Sequence, residues 1–123
     1  DDPTNKSMYE CLSAKGEMNE VGANDMYNPW YNVLVKEGTG TLQYQGKWNL
    51  FDQIIMTPNL LNKDGKKDFS ELKFWKNQIF RRDYLFQESG KYKGNTKRTT
   101  AGGVWLDGYS DHLPVVTYFA KQQ

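Results

Sequence analysis

The stretch GYSDHLPVVTYF (residues 108–119) places two titratable side chains, Asp111 and His112, directly before a run of apolar residues. His112 is the only histidine among the 123 residues. The apolar pattern predicts a strand over Leu113–Phe119, and Pro114 stands near its start, where a missing N–H is tolerated. Asp111 and His112 are therefore either an ordinary polar entry to a buried strand or part of a catalytic site.

The stretch WNLFDQIIMT (residues 48–57) contains a second carboxylate among apolar residues, Asp52. Period-two counting places Asp52 on one strand face with apolar neighbours, while Phe51 and Ile55 occupy the other face. A carboxylate in such a strand costs several kcal/mol unless it finds a partner. That partner is a lysine, an arginine, a backbone amide or His112. If it is His112, one imidazole nitrogen is held and the other is free to take a proton.

Asp111 has two interpretations of its own. A carboxylate at a loop-to-strand junction can bind a hard cation or orient a water molecule. The sequence Ser110-Asp111 is equally typical of an ordinary turn. Nothing in the sequence marks Ser110 as a nucleophile.

Composition predicts one domain over residues 1–123, with 37% hydrophobic and 15% aromatic residues. Sixteen basic and 15 acidic residues give a formal net charge of +1, so composition offers no argument for non-specific nucleic-acid binding. The single Cys11 excludes an internal disulfide and a cysteine-based metal cage. No run approaches the ~18 apolar residues of a membrane span. The cellular compartment stays open.

Helical and period-two spacings alternate along the chain. Residues 88–107 are rich in Gly, Lys and Thr, which predicts a long loop, and its basic cluster KYKGNTKR (91–98) can meet phosphate or simply be solvated. Residues 62–71 predict a charged surface loop; calcium-loop spacing there fails because Leu60 stands at the first ligand position. The predicted helices are Pro3–Lys15 and Pro29–Glu37, and the predicted strands are Gly40–Tyr44, Trp48–Met56, Leu72–Trp75 and Leu113–Phe119.

Taken together, the two stretches resemble the endonuclease/exonuclease/phosphatase family, metal-dependent phosphoesterases with the fold of deoxyribonuclease I. The loop KYKGNTKRT (91–99) is also similar to the loop before the final motif of bacterial members, so the resemblance spans roughly residues 28–119. The family's closing Ser-Asp-His-x-Pro-Val motif is matched by Ser110, Asp111, His112, Pro114 and Val115. Its upstream Trp-x-x-x-Asp-Gln/Tyr-Ile motif is matched by Trp48, Asp52, Gln53 and Ile54.

The resemblance implies an α/β (α+β) fold: the C-terminal part of a four-layer α/β sandwich, with one mainly antiparallel sheet and helices on its outer face. The opening DDPTNKS is similar to the residues that follow the family's Gly-Asp-Phe-Asn motif. We therefore expect the N-terminal portion of the domain, with most metal ligands, upstream of Asp1. The sheet's inner face would then lack its cover, so we expect either a homodimer through that face or a missing half that once covered it.

The implied function is hydrolysis of a phosphodiester or phosphomonoester by activated water with Mg²⁺ or Mn²⁺. In that mechanism His112 contacts the phosphoryl group, Asp52 orients His112, and Asp111 assists the metal or the water. Residues 1–123 alone are expected to be inactive. The alternative is a non-catalytic binding module that keeps the fold and the motif structurally. The substrate does not follow from the fold, and nucleic acid is one candidate among several phosphate esters.

Overall fold

The structure is a computed structural model that describes residues 1–63 and 65–123. Asp64, in the charged stretch 62–71, lies outside the described residues. The protein is a small mixed α/β chain with short sheets. Single helical turns of π or 3₁₀ geometry span Ser7–Cys11, Met18–Glu20, Pro58–Leu60 and Asp83–Leu85. The regular elements are β1 (Ala14–Lys15), β2 (Met26–Tyr27), α1 (Trp30–Val35), β3 (Leu42–Tyr44), β4 (Lys47–Asn49), β5 (Lys73–Ile79), β6 (Thr100–Ala101), β7 (Val104–Trp105) and β8 (Val115–Ala120).

The first segment differs from the helix expected over Pro3–Lys15. It forms only the π-helical turn Ser7–Cys11, and Ser13 then adopts a positive φ of 54° before the chain enters β1. Asp2 does not cap this turn. Its carboxylate instead accepts a hydrogen bond of 2.7 Å from the distant Leu50 amide. The start of the chain is thereby tied to the centre of the molecule.

Helix α1 forms where the sequence predicts a helix, although it is shorter than Pro29–Glu37. The side chain of Asn28 accepts a hydrogen bond of 3.0 Å from the Trp30 amide at the start of the helix. Gly38 has a positive φ of 67° just beyond its end, a conformation that glycine adopts without steric cost. Trp30 is fully buried and is the residue that anchors α1 to the core.

The antiparallel hairpin of β3 and β4 turns at Gln45 and Gly46, whose φ angles are both positive, at 49° and 79°. Two positive φ angles in a two-residue connection match the twist of the flanking strands. The predicted turn position is therefore correct. The predicted second strand, Trp48–Met56, is wrong beyond Asn49, where β4 ends.

Residues 50–55 leave the hairpin because side chains capture the backbone groups that would continue the ladder. The Leu50 N–H donates to Asp2, and the Leu50 carbonyl accepts 2.7 Å from the side-chain amide of Gln53. Backbone groups satisfied in this way no longer favour a strand. Strand-like pairing returns only at Met56, in an isolated bridge to Tyr27.

The longest strands, β5 and β8, pair antiparallel from Lys73–Ala120 to Ile79–Val115, with an irregularity between Phe74 and Lys76. β8 lies close to the predicted Leu113–Phe119, whereas β5 extends four residues beyond the predicted end at Trp75. The expected single sheet does not form among the described residues. Their strands make four separate two-stranded pairs: β1–β2, β3–β4, β5–β8 and β6–β7. Because β4 stops at Asn49, the hairpin presents no long edge to the β5–β8 pair.

The region 88–107 is more regular than the predicted long loop. β6 and β7 form a small hairpin around Gly102 and Gly103, whose φ angles are 56° and 79°. A further bridge joins Phe86 to Thr96. Gly-rich composition here marks tight turns and not an absence of pairing.

The core contains one cluster of packed side chains and further buried residues outside it. The cluster consists of Val21, Tyr27, Met56, Leu61 and Phe74. Trp30, Leu50 and Leu113 are the largest fully buried apolar side chains elsewhere. In the described part of the chain, no helix is both long and apolar enough to cross a membrane.

Candidate active site

The structure brings Asp52 and His112 together across 60 positions of sequence. The Nδ1 atom of His112 lies 2.7 Å from Oδ2 of Asp52, a hydrogen-bonding distance. Their side chains are 36% and 39% exposed, so the pair is accessible from solvent. The predicted strand Trp48–Met56 ends before Asp52, and His112 also lies outside the strands, so the pair is not formed by two neighbouring strands. Asp52 lies in the irregular segment 50–55, and His112 lies three residues before β8.

Thr41 is a second donor to Asp52 that sequence reasoning missed. Its hydroxyl donates to the same carboxylate oxygen at 2.6 Å, and the residue is fully buried. Its backbone joins two other segments, because its N–H donates to the Asn49 carbonyl at 2.8 Å and its carbonyl accepts from the Leu113 N–H at 2.7 Å. One residue thus ties Asp52, the end of β4 and the segment bearing His112. In the sequence, only the need of the Asp52 carboxylate for a hydrogen-bond donor pointed to such a residue, and nothing distinguished Thr41 from other donors.

Gly40 permits this close packing. A Cβ atom at this position would lie 2.1 Å from the Asn49 carbonyl oxygen, far inside van der Waals contact. Any side chain would therefore push the start of β3 away from the end of β4. The glycine fixes the approach that lets Thr41 reach Asn49 and Asp52.

The segment that bears Asp52 is held on both sides. The carboxylate of Asp2 accepts from the Leu50 amide, and Gln53 donates to the Leu50 carbonyl. Gln53 is held in turn by Asn28, whose side-chain amide donates to Gln53 Oε1 at 2.7 Å and which is fully buried. These bonds fix the backbone on either side of Asp52 without strand pairing. Gln53 was recognised as part of a motif, but the roles of Asp2 and Asn28 in this network were not.

Ser110 shapes the turn that presents His112. Its hydroxyl oxygen accepts a hydrogen bond of 3.0 Å from the His112 N–H. This is the local side-chain-to-backbone pattern of a serine turn. The buried Leu113 follows directly and anchors the backbone on the other side of His112. Ser110 is therefore a turn residue, consistent with the absence of any nucleophile signal.

The contacts of Asp111 are made with residues other than Asp52 and His112. Its carboxylate lies 3.4 Å from the Arg98 guanidinium, and its side chain is 39% exposed. Its backbone carbonyl accepts 2.8 Å from the Thr96 hydroxyl. These contacts join the turn 110–112 to the stretch 96–98. The Asp111 carboxylate thus faces a cation of its own chain.

The described residues do not by themselves provide a ligand set for Mg²⁺ or Mn²⁺. Among residues 1–63 and 65–123, no group of three or more His, Cys, Asp or Glu side chains is arranged to hold a metal ion. These cations require several oxygen ligands, and Mg²⁺ requires near-octahedral geometry. Asp111 supplies at most one such ligand, and it does so beside a guanidinium group.

The Asp52–His112 arrangement is suited to proton transfer. A carboxylate that accepts from Nδ1 favours the proton on that nitrogen and leaves Nε2 for another partner. Nε2 can then accept a proton from a water molecule or donate a hydrogen bond to an oxygen of a bound molecule. The second donor, Thr41, holds the Asp52 oxygen in place without competing for the imidazole's free edge.

The family model described as "Endonuclease/Exonuclease/phosphatase family" matches residues 1–121 of this chain. No curated protein and no solved structure matches this chain. The matched region includes every residue of the site, from Asp2 to His112. With nearly the whole sequence covered by that model, the chain belongs to the endonuclease/exonuclease/phosphatase family.

Proposed function

We propose that this chain carries the histidine half of the active site of a phosphoesterase, which hydrolyses a phosphodiester or phosphomonoester with water. Family membership supports hydrolysis of phosphate esters in general terms. The observation that carries the proposal is the 2.7 Å contact between His112 and Asp52, reinforced by Thr41 on the same carboxylate oxygen.

In this proposal His112 is the catalytic residue and Asp52 is its positioning residue. Asp52 holds Nδ1–H, so that Nε2 faces the substrate. Nε2 then takes a proton from the attacking water, or donates a hydrogen bond to a phosphoryl oxygen as negative charge develops there. A positioned acid or base of this kind contributes about 100- to 10,000-fold to a rate.

We also propose that the reaction depends on Mg²⁺ or Mn²⁺ and that Asp111 assists as one ligand or by orienting the water. A divalent cation supplies neutralisation of charge on the phosphoryl oxygens. Because the described residues contain no complete ligand set, residues 1–123 alone are expected to be inactive.

The test is an assay of the full-length protein that contains residues 1–123, with bis(p-nitrophenyl) phosphate as substrate. Activity should require Mg²⁺ or Mn²⁺, disappear with EDTA, and fall about 100- to 10,000-fold in His112→Ala. Asp52→Asn should also lower the rate, and Asp68→Asn is its matched carboxylate control, since Asp68 accepts its hydrogen bonds locally, from Ser70. Equal rates for the parent and His112→Ala proteins would refute the proposal.

The second candidate function is a non-catalytic binding module that retains the motif for stability. The observation that favours it is the lack of a metal-ligand cluster in the described part of the chain. A binding module predicts that no variant and no metal changes the background rate of the assay. It also predicts that His112→Ala lowers the free energy of unfolding without any activity to lose.

A further inference from the structure

A cleft of about 420 Å³ lies between the β3–β4 hairpin and the stretch 87–106. We name it the carboxamide cleft after the residues that dominate it. Its volume lies within the usual range for sites that bind small molecules. The lining residues used below are Gln43, Gln45, Gln87, Tyr92, Asn95 and Arg98.

Two observations connect the carboxamide cleft to the proposed active site. Thr96 and Arg98 line it, and both contact Asp111, the neighbour of His112 in sequence. In addition, Gln43 lines the cleft two residues after Thr41, whose hydroxyl donates to Asp52. A phosphate ester at His112 can therefore extend its remaining part into the cleft.

The wall of the cleft is preformed by backbone pairing. The Gln87 N–H donates to the Asn95 carbonyl at 2.8 Å, and the Lys97 N–H donates to the Leu85 carbonyl at 2.8 Å. The bridge between residues 86 and 96 lies between these two bonds. Gln87 and Asn95 are thereby held opposite each other, so a ligand meets side chains on a fixed frame and not on a free loop.

The chemistry of the lining selects a particular kind of ligand. Arg98 is the one charged side chain among the described residues that line the cleft, and the four carboxamides each offer both donors and acceptors. Oε1 of Gln43 is buried and has no hydrogen-bond partner among the described residues. A buried acceptor of this kind is satisfied when a ligand supplies a donor. The cleft thus favours an uncharged group that carries donors and acceptors.

The aromatic side chains add a preference for a planar group. Tyr44 and Tyr92 line the cleft and remain 62% and 55% exposed, so their rings are available to a ligand. Asn and Gln side chains pair with the edges of nucleobases, and tyrosine rings stack on their faces. At the end of the cleft near Asp111, the guanidinium of Arg98 can pair with a phosphate that is attached to the planar group.

We propose that the carboxamide cleft is a specificity subsite that holds the base of a nucleotide while its phosphate lies toward Arg98 and His112. This inference rests on the proposed phosphoesterase function for the direction of the phosphate. Its first test is nevertheless a binding measurement. The result of that measurement decides on the subsite even if the protein does not hydrolyse phosphate esters.

Binding of the four nucleoside 5′-monophosphates and of ribose 5-phosphate is measured by calorimetry on the full-length protein carrying His112→Ala. The two kinds of ligand share sugar and phosphate and differ only in the base. At least one nucleotide should bind about tenfold tighter than ribose 5-phosphate, since one base–aromatic stack supplies that much. Equal affinities for all five ligands would overturn the proposal.

Substitutions then locate the binding site. Tyr92→Ala and Gln87→Ala should each weaken nucleotide binding about fivefold or more, while ribose 5-phosphate binding stays unchanged. Tyr84→Ala is the matched control, because Tyr84 has the same 55% exposure and does not line the cleft. Unaltered nucleotide binding in both cleft variants, or an equal loss in the control, would place the base elsewhere and overturn the proposal.

Discussion

Replacing Thr41 with valine removes the buried hydroxyl that donates to Asp52 while keeping the shape of the side chain. The bond measures 2.6 Å, and its acceptor is a carboxylate, a class of hydrogen bond worth about 1.5–3 kcal/mol. Asp52 keeps His112 as a donor and is 36% exposed, so water replaces part of the loss. We expect Thr41→Val to lower the free energy of unfolding by about 1.5 kcal/mol, toward the lower end of that range.

The measurement is urea denaturation of the full-length protein followed by tryptophan fluorescence. Thr117→Val is the matched control, because the Thr117 hydroxyl is buried and has no partner among the described residues. Removing an unsatisfied hydroxyl should be neutral or stabilising. The same experiment in an Asp52→Ala background should reduce the cost of Thr41→Val to below about 0.5 kcal/mol, because the acceptor is already absent. An equal cost in both backgrounds would refute the role assigned to Thr41.

Three further predictions concern residues outside the Asp52–His112 pair. Gly40→Ala should lower the free energy of unfolding by about 2 kcal/mol or more in urea denaturation, because its Cβ would lie 2.1 Å from the Asn49 carbonyl oxygen. The Ser13 hydroxyl holds the pKa of Asp25 below its ordinary value of 3.8. The stability that this hydrogen bond adds is therefore present above pH 3.8 and is lost as the pH falls through the lower pKa of the folded state. In Ser13→Ala, NMR titration should show the pKa of Asp25 rising toward 3.8. Burial raises the pKa of Tyr27 above 10.0, so stability falls as the pH rises past that value. The difference between the absorbance titrations of the parent and Tyr27→Phe proteins should have its midpoint above pH 10.0.

Local signals sufficed for the elements whose boundaries depend on neighbouring residues. Asn28 and Gly38 mark the two ends of α1, and the two-residue turn at Gln45 and Gly46 marks the hairpin. In each case the deciding contact or dihedral angle lies within a few residues of the element. The structure differs most where a distant side chain intervenes, as when Asp2 captures the amide of Leu50 and ends β4.

The candidate site was predictable in its residue types but not in its support. The resemblance to a family paired Asp52 with His112, and physical reasoning required a partner for a carboxylate among apolar residues. Period-two counting assumed that the strand continued through Asp52, so it predicted burial on both faces, whereas the side chain is 36% exposed. Thr41 escaped notice because its role depends on a hydrogen bond across the fold and on the glycine before it.

The proposed role of His112 requires that Asp52 hold the Nδ1 proton and leave Nε2 free. Long-range proton–nitrogen NMR correlation of the imidazole measures this directly, with the signal identified by its absence in His112→Ala. In the neutral ring we predict that the proton resides on Nδ1, and that Asp52→Asn shifts the population toward the Nε2-protonated form. A neutral His112 protonated on Nε2, or a tautomer ratio that Asp52→Asn leaves unchanged, would contradict the account.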